Sequence, residues 1–374
     1  MFEEWYLNDL ITEKIKATWK YTDHYLLKLI YEIMENSGII GYLDSKTTIE
    51  LIIEKQNYSP NTFKAIKWML DRLALDGYVK NEDGYYVLTD KKMTIKTEEI
   101  MNFVDKNVPE GKTAFRMLET MAGSYPSFLK GEKSGVEIIF SPDNIDMTGN
   151  YYRYDLYYNV HNICGAKILN DDLEKRKNPN ILEIGGGLGG GTIQFLKQRI
   201  ENKSGMDFNY IFTDIANKML RTTKKEMLTI SDNLTGFEFK KLDFNEDLLR
   251  QGYEENSFDV VWGVNAIHVA KDLEYTLKQI MKILKPGGVF LISETVRPEG
   301  NLMIQQEFIL NTLLDYWNVK LDENYRKTSG FLSWREWKKS LESAGFQKVE
   351  TVPDMATLEK QYDNCYVSVI RGMK

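Results

Sequence analysis

A glycine-rich segment, Gly185–Gly191, follows directly after the short apolar run Ile181–Ile184 and leads into an amphipathic stretch. Glycine allows positive φ and a close backbone approach, so a segment of this kind can wrap a ligand that a Cβ atom would exclude. A strand, a glycine-rich turn and a helix in this order are typical of the first unit of a doubly wound α/β domain. This feature constrains the fold of the chain more than any other.

Short apolar segments alternate with amphipathic helical segments from about residue 177 onward. This alternation predicts an α/β fold with a seven-stranded, Rossmann-like sheet that is mostly parallel and has helices on both faces. The predicted strands are Ile181–Ile184, Tyr210–Thr213, Phe237–Leu242, Phe258–Gly263, Val289–Ser293, Lys348–Val352 and Tyr366–Ile370. No helix is predicted between the last two strands.

Three helices and a hairpin are predicted ahead of this domain. Apolar residues recur at helical spacing in His24–Met34, Thr48–Glu54 and Pro60–Leu75. A hairpin with Asp83-Gly84 in its turn follows, and this order is typical of a winged helix. We therefore predict a winged-helix-like domain at 1–95, a helical connector that covers the active site at 96–176, and a catalytic domain at 177–374.

The charge and the cysteine content argue against several kinds of binding partner and of structural site. The formal net charge of −7 gives no general attraction to nucleic acid or to anionic lipid. Cys164 and Cys365 are the only cysteines, too few for a disulfide framework or a zinc site. The N-terminus lacks the basic start and the apolar run of a signal peptide, so we expect a cytoplasmic protein that binds neither a membrane nor nucleic acid.

Acidic residues stand at the ends of the first three predicted strands of the sheet. Glu183 precedes Gly185, Gly187 and Gly189 at alternate positions, and an acid there suits a cationic ligand better than a pyrophosphate. Asp214 ends the second strand, where a ribose presents its hydroxyls in doubly wound domains. Asp243, followed by Phe244, ends the third strand, where an adenine amino group can donate to it. Asp243 can equally be a turn or capping residue.

Two further polar residues follow the fourth and fifth strands. His268 stands just past the fourth strand, shortly after Asn265, and Glu294 ends the fifth. A carboxylate beside a histidine holds the imidazole in one tautomer and stabilises its protonated form. A base held in this way can take a proton from a substrate, although His268 can also simply cap a helix.

An aromatic run in the connector offers candidate substrate contacts. Tyr151, Tyr154 and Tyr158 share one face at helical spacing, and their hydroxyls can position a carbonyl or an enolate. Ordinary packing gives the same pattern. His161, at the end of the run, is expected to be structural. Helices predicted at 301–321 and 334–343 are expected to form part of a lid over the substrate. Trp334 begins the second of them and completes the set of candidate substrate-binding residues.

Residues 180–295 resemble class I S-adenosylmethionine-dependent methyltransferases. Within that class, they closely resemble the C-methyltransferase domains embedded in polyketide synthases. The matching stretches are Ile181–Thr192, Phe212–Ile215, Ser257–Val261, Asn265–Ala270, Leu284–Gly288 and Ser293–Thr295. The resemblance continues beyond residue 295 into Phe331–Trp337 and Ala344–Phe346. The resemblance implies that His268 and Glu294 form a catalytic dyad. No metal is expected, because such a dyad supplies deprotonation and the sequence has no His/Asp cluster with ligand spacing. It also implies S-adenosylmethionine as the cofactor, held by Glu183, Gly185, Gly187, Gly189, Asp214, Asp243, Phe244 and Asn265.

Residues 24–95 separately resemble the winged-helix dimerisation domain of small-molecule O-methyltransferases, so a homodimer through the N-terminal domain is expected. The favoured function is methyl transfer to the α-carbon of a β-ketoacyl or similarly acidic substrate, free or carrier-bound, in polyketide-like biosynthesis. Three alternatives stay open. They are O-methylation of a phenol or enol, DNA binding by the winged helix, and non-methylating chemistry on the same fold. The sequence shows no strong basic patch that would mark a carrier-docking face.

Overall fold

The computed structural model describes residues 2–298, 303–360 and 367–374. The part up to residue 176 is mainly helical, and its α-helices are α1 Phe2–Trp5, α2 Glu13–Asn36, α3 Ile49–Gln56, α4 Phe63–Leu75, α5 Thr97–Asn107, α6 Lys112–Leu129, α7 Gly135–Ile139, α8 Ile145–Tyr154 and α9 Asn159–Leu173. Strands β1 (Val79–Glu82) and β2 (Tyr85–Leu88) form an antiparallel hairpin after α4. The predicted helices and hairpin are therefore present, in the predicted order.

Local signals set the boundaries of these elements. Pro60 opens a 3₁₀ turn that leads into α4, and Ser59 before it is extended. Asp83 and Gly84 both have positive φ, 52° and 87°, as a two-residue hairpin turn that matches the strand twist requires. Helix α2 is longer than the predicted helix His24–Met34. It begins at Glu13, because Thr12 caps it by accepting a hydrogen bond from the Ile15 amide.

The predicted seven-stranded sheet is confirmed. Its strands are β3 Asn180–Glu183, β4 Asn209–Asp214, β5 Phe237–Lys241, β6 Phe258–Val264, β7 Leu284–Thr295, β8 Gln347–Val352 and β9 Val367–Met373. The spatial order is β5-β4-β3-β6-β7-β9-β8. The five strands β5, β4, β3, β6 and β7 run parallel to one another, and β9 is antiparallel to both of its neighbours, β7 and β8.

The α-helices of this part are α10 Gly190–Glu201, α11 Asn217–Met227, α12 Leu273–Ile283, α13 Glu307–Leu310, α14 Leu314–Trp317, α15 Trp334–Ala344 and α16 Met355–Leu358. Helices α11, α12 and α15 pack on strands of the sheet, as does α9. Every residue from 288 to 295 in β7 is buried, so the central sheet is covered on both faces. The same buried stretch places Glu294 at the carboxyl end of its strand, where doubly wound sheets bind ligands.

The prediction that no helix separates the last two strands is wrong. Helix α16 lies between β8 and β9, and Asp354 caps it by accepting a hydrogen bond from the Ala356 amide. A helix of four residues is too short to give an apolar repeat in the sequence. Residue 366, the predicted start of the last strand, and Cys365 lie outside the described residues; Cys164 is buried and free.

The helices of the first 176 residues pack on one another and on the segment after β7. The Trp19 indole donates to the Tyr157 carbonyl at 3.3 Å, and the Tyr125 hydroxyl donates to the Phe308 carbonyl at 2.7 Å. The Tyr125 and Phe308 rings also stack, with centroids 4.8 Å apart. These contacts hold the segment after β7 in place over the carboxyl edge of the sheet. Among the described helices, none has the length and apolar character needed to cross a bilayer.

Candidate active site

The glycine-rich loop between β3 and α10 requires glycine at defined positions. Gly185, Gly187 and Gly189 have φ of 63°, 55° and 80°, in the left-handed region that other residues avoid. A Cβ on Gly185 would lie 2.7 Å from the Ala266 Cβ, and one on Gly189 would lie 2.3 Å from the Thr223 Cγ2. The loop thus packs too closely on its neighbours for any side chain at these two positions.

This loop forms one wall of a cavity of about 390 Å³. The cavity brings together residues from the ends of β3, β4 and β6 with the helical connector. Its lining includes the predicted Glu183, Gly185, Gly187, Asp214 and Asn265, together with apolar or aromatic side chains of Phe140, Tyr152, Tyr158, Met219 and Val264. A largely apolar cavity with a few convergent polar groups is the usual form of a small-molecule site.

Glu183 is buried at the inner end of the cavity. Its carboxylate accepts hydrogen bonds from the Tyr210 hydroxyl, at 2.7 Å, and from the Thr192 hydroxyl. The Trp262 indole in turn donates to the Tyr210 oxygen at 2.8 Å. Burial raises the pKa of Glu183 to about 7 because these two hydroxyl donors do not fully replace water. A cation in the cavity would favour the ionised carboxylate.

Asp214 ties the end of β4 to the glycine-rich loop. Its carboxylate accepts hydrogen bonds from the Gly187 amide at 3.0 Å and from the Ala216 amide at 2.8 Å. Burial raises the pKa of Asp214 above its ordinary value. The residue lines the cavity as predicted, and it also shapes the loop that forms the wall.

The structure brings His268 and Glu294 into direct contact. The imidazole Nδ1 lies 2.9 Å from Glu294 Oε2, and both side chains are buried. The second carboxylate oxygen, Oε1, accepts the Ile267 amide at 3.2 Å. Because Nδ1–H must donate to the carboxylate, Nε2 is the ring nitrogen left to act as a base.

Two other contacts fix the turn that carries His268. The guanidinium of Arg326, which is buried in the segment between α14 and α15, donates to the main-chain carbonyls of His268 and Ala270, each at 2.5 Å. The Phe331 ring packs on the imidazole with ring centroids 4.6 Å apart. Neither Arg326 nor Phe331 was predicted as a site residue, because each reaches the turn from a distant part of the sequence.

A chamber of about 70 Å³ adjoins His268. Its walls are formed by Tyr151, Tyr152, Tyr158, Asn265, His268, Gln306, Ile309, Leu310 and Phe331. Three of these residues, Tyr152, Tyr158 and Asn265, also line the larger cavity. The larger cavity and the chamber therefore meet at one shared wall beside the His268 turn.

Asn265 presents an amide donor at that shared wall. Its main chain is left-handed, with φ of 45°, a conformation that asparagine tolerates better than most residues. The side-chain Oδ1 accepts the Thr295 amide at 2.6 Å. The buried Nδ2 has no hydrogen-bond acceptor within the described ranges, so this donor is available to a bound molecule.

Residues 175–345 match the family model described as methyltransferase domain. This part of the chain is a methyltransferase domain. S-adenosylmethionine is the cofactor of such a domain, and the residues of the larger cavity fit it. The loop is closed to side chains at Gly185, Glu183 suits a cationic group, and Asn265 offers a free donor.

Curated fungal proteins contain regions similar to this methyltransferase. Highly reducing polyketide synthase calA of Penicillium decumbens is 29% identical over 242 residues, which are 65% of this chain and 8% of the synthase. Highly reducing polyketide synthase azaB of Aspergillus niger is 30% identical over 224 residues, 59% of this chain and 8% of the synthase. The chain thus spans less than a tenth of the length of these two relatives.

Solved structures share the fold along almost the whole chain. The citrinin polyketide synthase CMeT domain has a TM-score of 0.81 at 18% identity, covering 98% of this chain and 93% of that one. The DszA carbon methyltransferase has a TM-score of 0.78 at 22% identity, covering 97% and 91%. The fold likeness therefore includes the N-terminal helices and hairpin, which do not by themselves distinguish an O-methyltransferase from a carbon methyltransferase.

The predicted tyrosine face of the methyltransferase is wrong in part. Helix α8 ends at Tyr154, so Tyr158 lies beyond it and does not share its face. The Tyr154 hydroxyl donates to Glu226 at 2.6 Å, away from the chamber, whereas Tyr151 and Tyr158 do line it. Tyr152 was not predicted, although it lines both the cavity and the chamber.

Four other predicted ligand-binding residues, Gly189, Trp334, Asp243 and Phe244, lie outside the walls that the described residues define. The Trp334 indole donates to Glu359 at 2.8 Å, and the Arg335 guanidinium covers its ring. Asp243 takes the alternative turn role, because its carboxylate accepts the Asn245 amide at 2.9 Å. The Phe244 ring borders the glycine-rich loop from outside, 3.5 Å from the position of a Cβ on Gly185.

His161 has the structural role expected of it. Its Nδ1 lies 2.9 Å from the Tyr158 carbonyl and its Nε2 lies 2.8 Å from the Thr295 hydroxyl. Burial lowers the pKa of His161 to about 4, so the ring stays neutral at physiological pH. The neutral ring connects the tyrosine segment to the end of β7 beside Glu294.

A separate open groove of about 650 Å³ lies between α4 and the segment after β7. Its lining includes three lysines, Lys64, Lys67 and Lys327, and two tryptophans, Trp68 and Trp317. The lining also includes Asp71, which pairs with Lys67, and Glu307, which pairs with Arg297. The groove could not be predicted from the sequence, because Lys327 is far from α4 along the chain.

Binding of S-adenosylmethionine is expected to weaken as the pH falls from 8 to 5.5. Glu183 has a pKa of about 7 in the free protein, so protonation below that value removes the charge that faces the cationic cofactor. Affinity should therefore be present above pH 7 and lost as the pH falls through 7. Titration calorimetry across this range measures the effect. A pH profile of Glu183→Gln as steep as that of the native protein would contradict the assignment.

Proposed function

We propose that this methyltransferase transfers a methyl group to the α-carbon of a β-ketoacyl thioester or a similarly acidic carbon acid. His268 acts as the base and Glu294 positions it. The observation that carries this proposal is the shared wall, because a cofactor in the larger cavity and an acyl group in the chamber would meet beside His268. The His268–Glu294 hydrogen bond supplies the base at that place.

The chemistry follows from the acidity of a carbon between two carbonyls. Nε2 of His268 takes the α-proton, and the carboxylate of Glu294 stabilises the imidazolium that forms. The electron pair of the broken C–H bond passes into the enolate, which is then the nucleophile. S-adenosylmethionine supplies the methyl group. Holding the acyl group and the cofactor next to each other beside the His268 turn would supply a further rate advantage, because neither reactant would then have to be brought into position from solution.

Two donors at the shared wall suit the enolate oxygen. Asn265 Nδ2 is buried near the Tyr158 hydroxyl and has no acceptor at hydrogen-bond distance within the described residues. Burial raises the pKa of Tyr158 well above its ordinary value, so its hydroxyl stays protonated and can donate. Preorganised donors aimed at a developing oxyanion often make one of the largest contributions to catalysis. We therefore assign Asn265 and Tyr158 to enolate stabilisation.

The test uses methyl-labelled S-adenosylmethionine with acetoacetyl-pantetheine thioester. Label on the α-carbon, located by carbon NMR and mass spectrometry, is the expected product. Label on oxygen of an enol or of a phenolic acceptor, with none on carbon, would instead favour the second candidate, O-methylation by the same dyad. Absence of transfer to either class would overturn the proposed function.

We further propose that the acyl group arrives on a carrier protein in polyketide-like biosynthesis. The relatives are polyketide synthases, and the lysine-lined groove beside α4 suits an acidic carrier or its phosphate. A carrier-borne thioester should then be methylated with a higher kcat/KM than the pantetheine thioester. A homodimer through residues 1–95, the roof role of 96–176, a cytoplasmic location and the absence of nucleic-acid binding stay predictions.

A further inference from the structure

Three consecutive residues at the start of α13 have different environments. The Gln305 amide donates to the Trp19 carbonyl at 2.7 Å, and its oxygen accepts the Thr22 hydroxyl at 2.7 Å. Both partners belong to α2 in the N-terminal part of the chain. Gln305 therefore fixes this segment on one side.

Glu307 fixes the same segment on the other side. Its buried carboxylate accepts the Trp68 indole at 3.0 Å and the Tyr316 hydroxyl at 3.0 Å, and it pairs with the Arg297 guanidinium. Trp68 belongs to α4, so both neighbours of Gln306 are held by N-terminal helices. The direction of the residue between them is set by these two anchors.

Gln306 lines the chamber beside His268 and is only 7% exposed. Throughout the described ranges, its side-chain amide makes no hydrogen bond to the protein, although its nitrogen and oxygen are not fully sealed from solvent. The amide is therefore accessible in the chamber, where a ligand or water can complete its bonding. Four residues that follow β7 in the chain line the chamber, and Gln306 is the polar one beside Ile309, Leu310 and Phe331. Its side-chain amide is thus available to a bound molecule.

We infer that Gln306 determines specificity by donating a hydrogen bond to the β-oxygen of the acyl substrate. This inference rests on the proposed function. Asn265 and His268 come from the turn after β6, whereas Gln306 comes from the segment after β7. In the proposed geometry, the turn serves the thioester oxygen and the α-proton. The second oxygen of a β-ketoacyl group then faces the opposite wall, where Gln306 supplies its donor.

The test compares two acceptors that both have an acidic α-carbon. Acetoacetyl-pantetheine thioester carries a β-ketone, whereas cyanoacetyl-pantetheine thioester carries a linear nitrile without a β-oxygen. Sites that hydrogen-bond a substrate group discriminate strongly against analogues that lack it, so the native enzyme should favour acetoacetyl in kcat/KM by about 30-fold or more. Gln306→Leu should remove about 30-fold of kcat/KM with acetoacetyl and change that with cyanoacetyl by less than about threefold.

Gln279→Leu is the matched control, because Gln279 is a buried glutamine of α12 whose side-chain oxygen has no partner among the described residues and which does not line the chamber. It should keep the native preference for acetoacetyl, whatever its effect on the melting temperature. Equal losses on both acceptors in Gln306→Leu, with unchanged cofactor binding, would overturn the inference in favour of a structural role. An unchanged preference would overturn it as well. Failure of the native enzyme to methylate either acceptor on carbon would instead refute the proposed function.

Discussion

Replacement of His268 by alanine is expected to lower kcat for carbon methylation by about 10³-fold, the range typical of a lost general base. The dissociation constant of S-adenosylmethionine should stay within about twofold of the native value, because the imidazole lines the chamber and not the cofactor cavity. Labelled transfer at saturating cofactor measures the first quantity, and calorimetry measures the second.

Deuterium exchange separates deprotonation from methyl transfer. In D₂O without cofactor, the native enzyme should exchange the α-protons of the β-ketoacyl thioester faster than buffer does, and His268→Ala should not. Glu294→Gln keeps a hydrogen-bond acceptor for Nδ1 and removes the charge, so it should retain more activity than His268→Ala. Native exchange rates in His268→Ala would exclude His268 as the base.

The parts of the fold that the sequence predicted well are those with local causes. The central strands β3, β6 and β7 are apolar runs with buried residues on both faces, and the loop needs glycine because its φ angles are positive. The contact of His268 with Glu294 follows from two neighbouring parallel strands that end at the same edge. Each of these features depends on residues close in sequence or on a regular topology.

The tyrosine face could not be predicted because a distant contact ends α8. Asp155 is extended after the helix, and its buried carboxylate accepts the Ala114 amide at 3.0 Å and the Tyr157 amide at 2.9 Å. Ala114 belongs to α6, so the helical periodicity around Tyr154 contains no sign of this interaction. The chain turns there and carries Tyr158 into the shared wall instead.

The lid helices predicted at 301–321 and 334–343 agree with the structure only in the second part. Helix α15 is present there, whereas the described residues of 301–321 hold two helices of only four residues each, α13 and α14. Four residues are too few for an apolar repeat, and the contacts of this part reach across the whole chain. Arg326 holds the His268 turn, and Glu307 joins Trp68 to Arg297. Trp334 was chosen for its place at a helix start, whereas Phe331, just before that helix, packs on the imidazole.

Replacement of Gly185 by alanine is expected to lower the free energy of unfolding by about 2–4 kcal/mol, from the left-handed φ and an overpacked contact together. The new Cβ would lie 2.7 Å from the Ala266 Cβ, so either the loop or the turn after β6 must move. Because Ala266 lies between Asn265 and His268, the same shift should weaken S-adenosylmethionine binding and lower kcat. Chemical denaturation and calorimetry measure the two effects.

Gly287→Ala is the matched control for backbone strain. Gly287 has a φ of 75°, and a Cβ there would meet no atom within 4 Å. Gly287→Ala should lower the free energy of unfolding only by the strain of the left-handed region, about 1–2 kcal/mol. Its affinity for S-adenosylmethionine should be that of the native protein. The double variant Gly185→Ala/Ala266→Gly removes the Cβ that Gly185→Ala would strike, so it should recover cofactor affinity while keeping the strain. No recovery in that variant would show that positive φ, and not the close approach to the His268 turn, is what reserves this position for glycine.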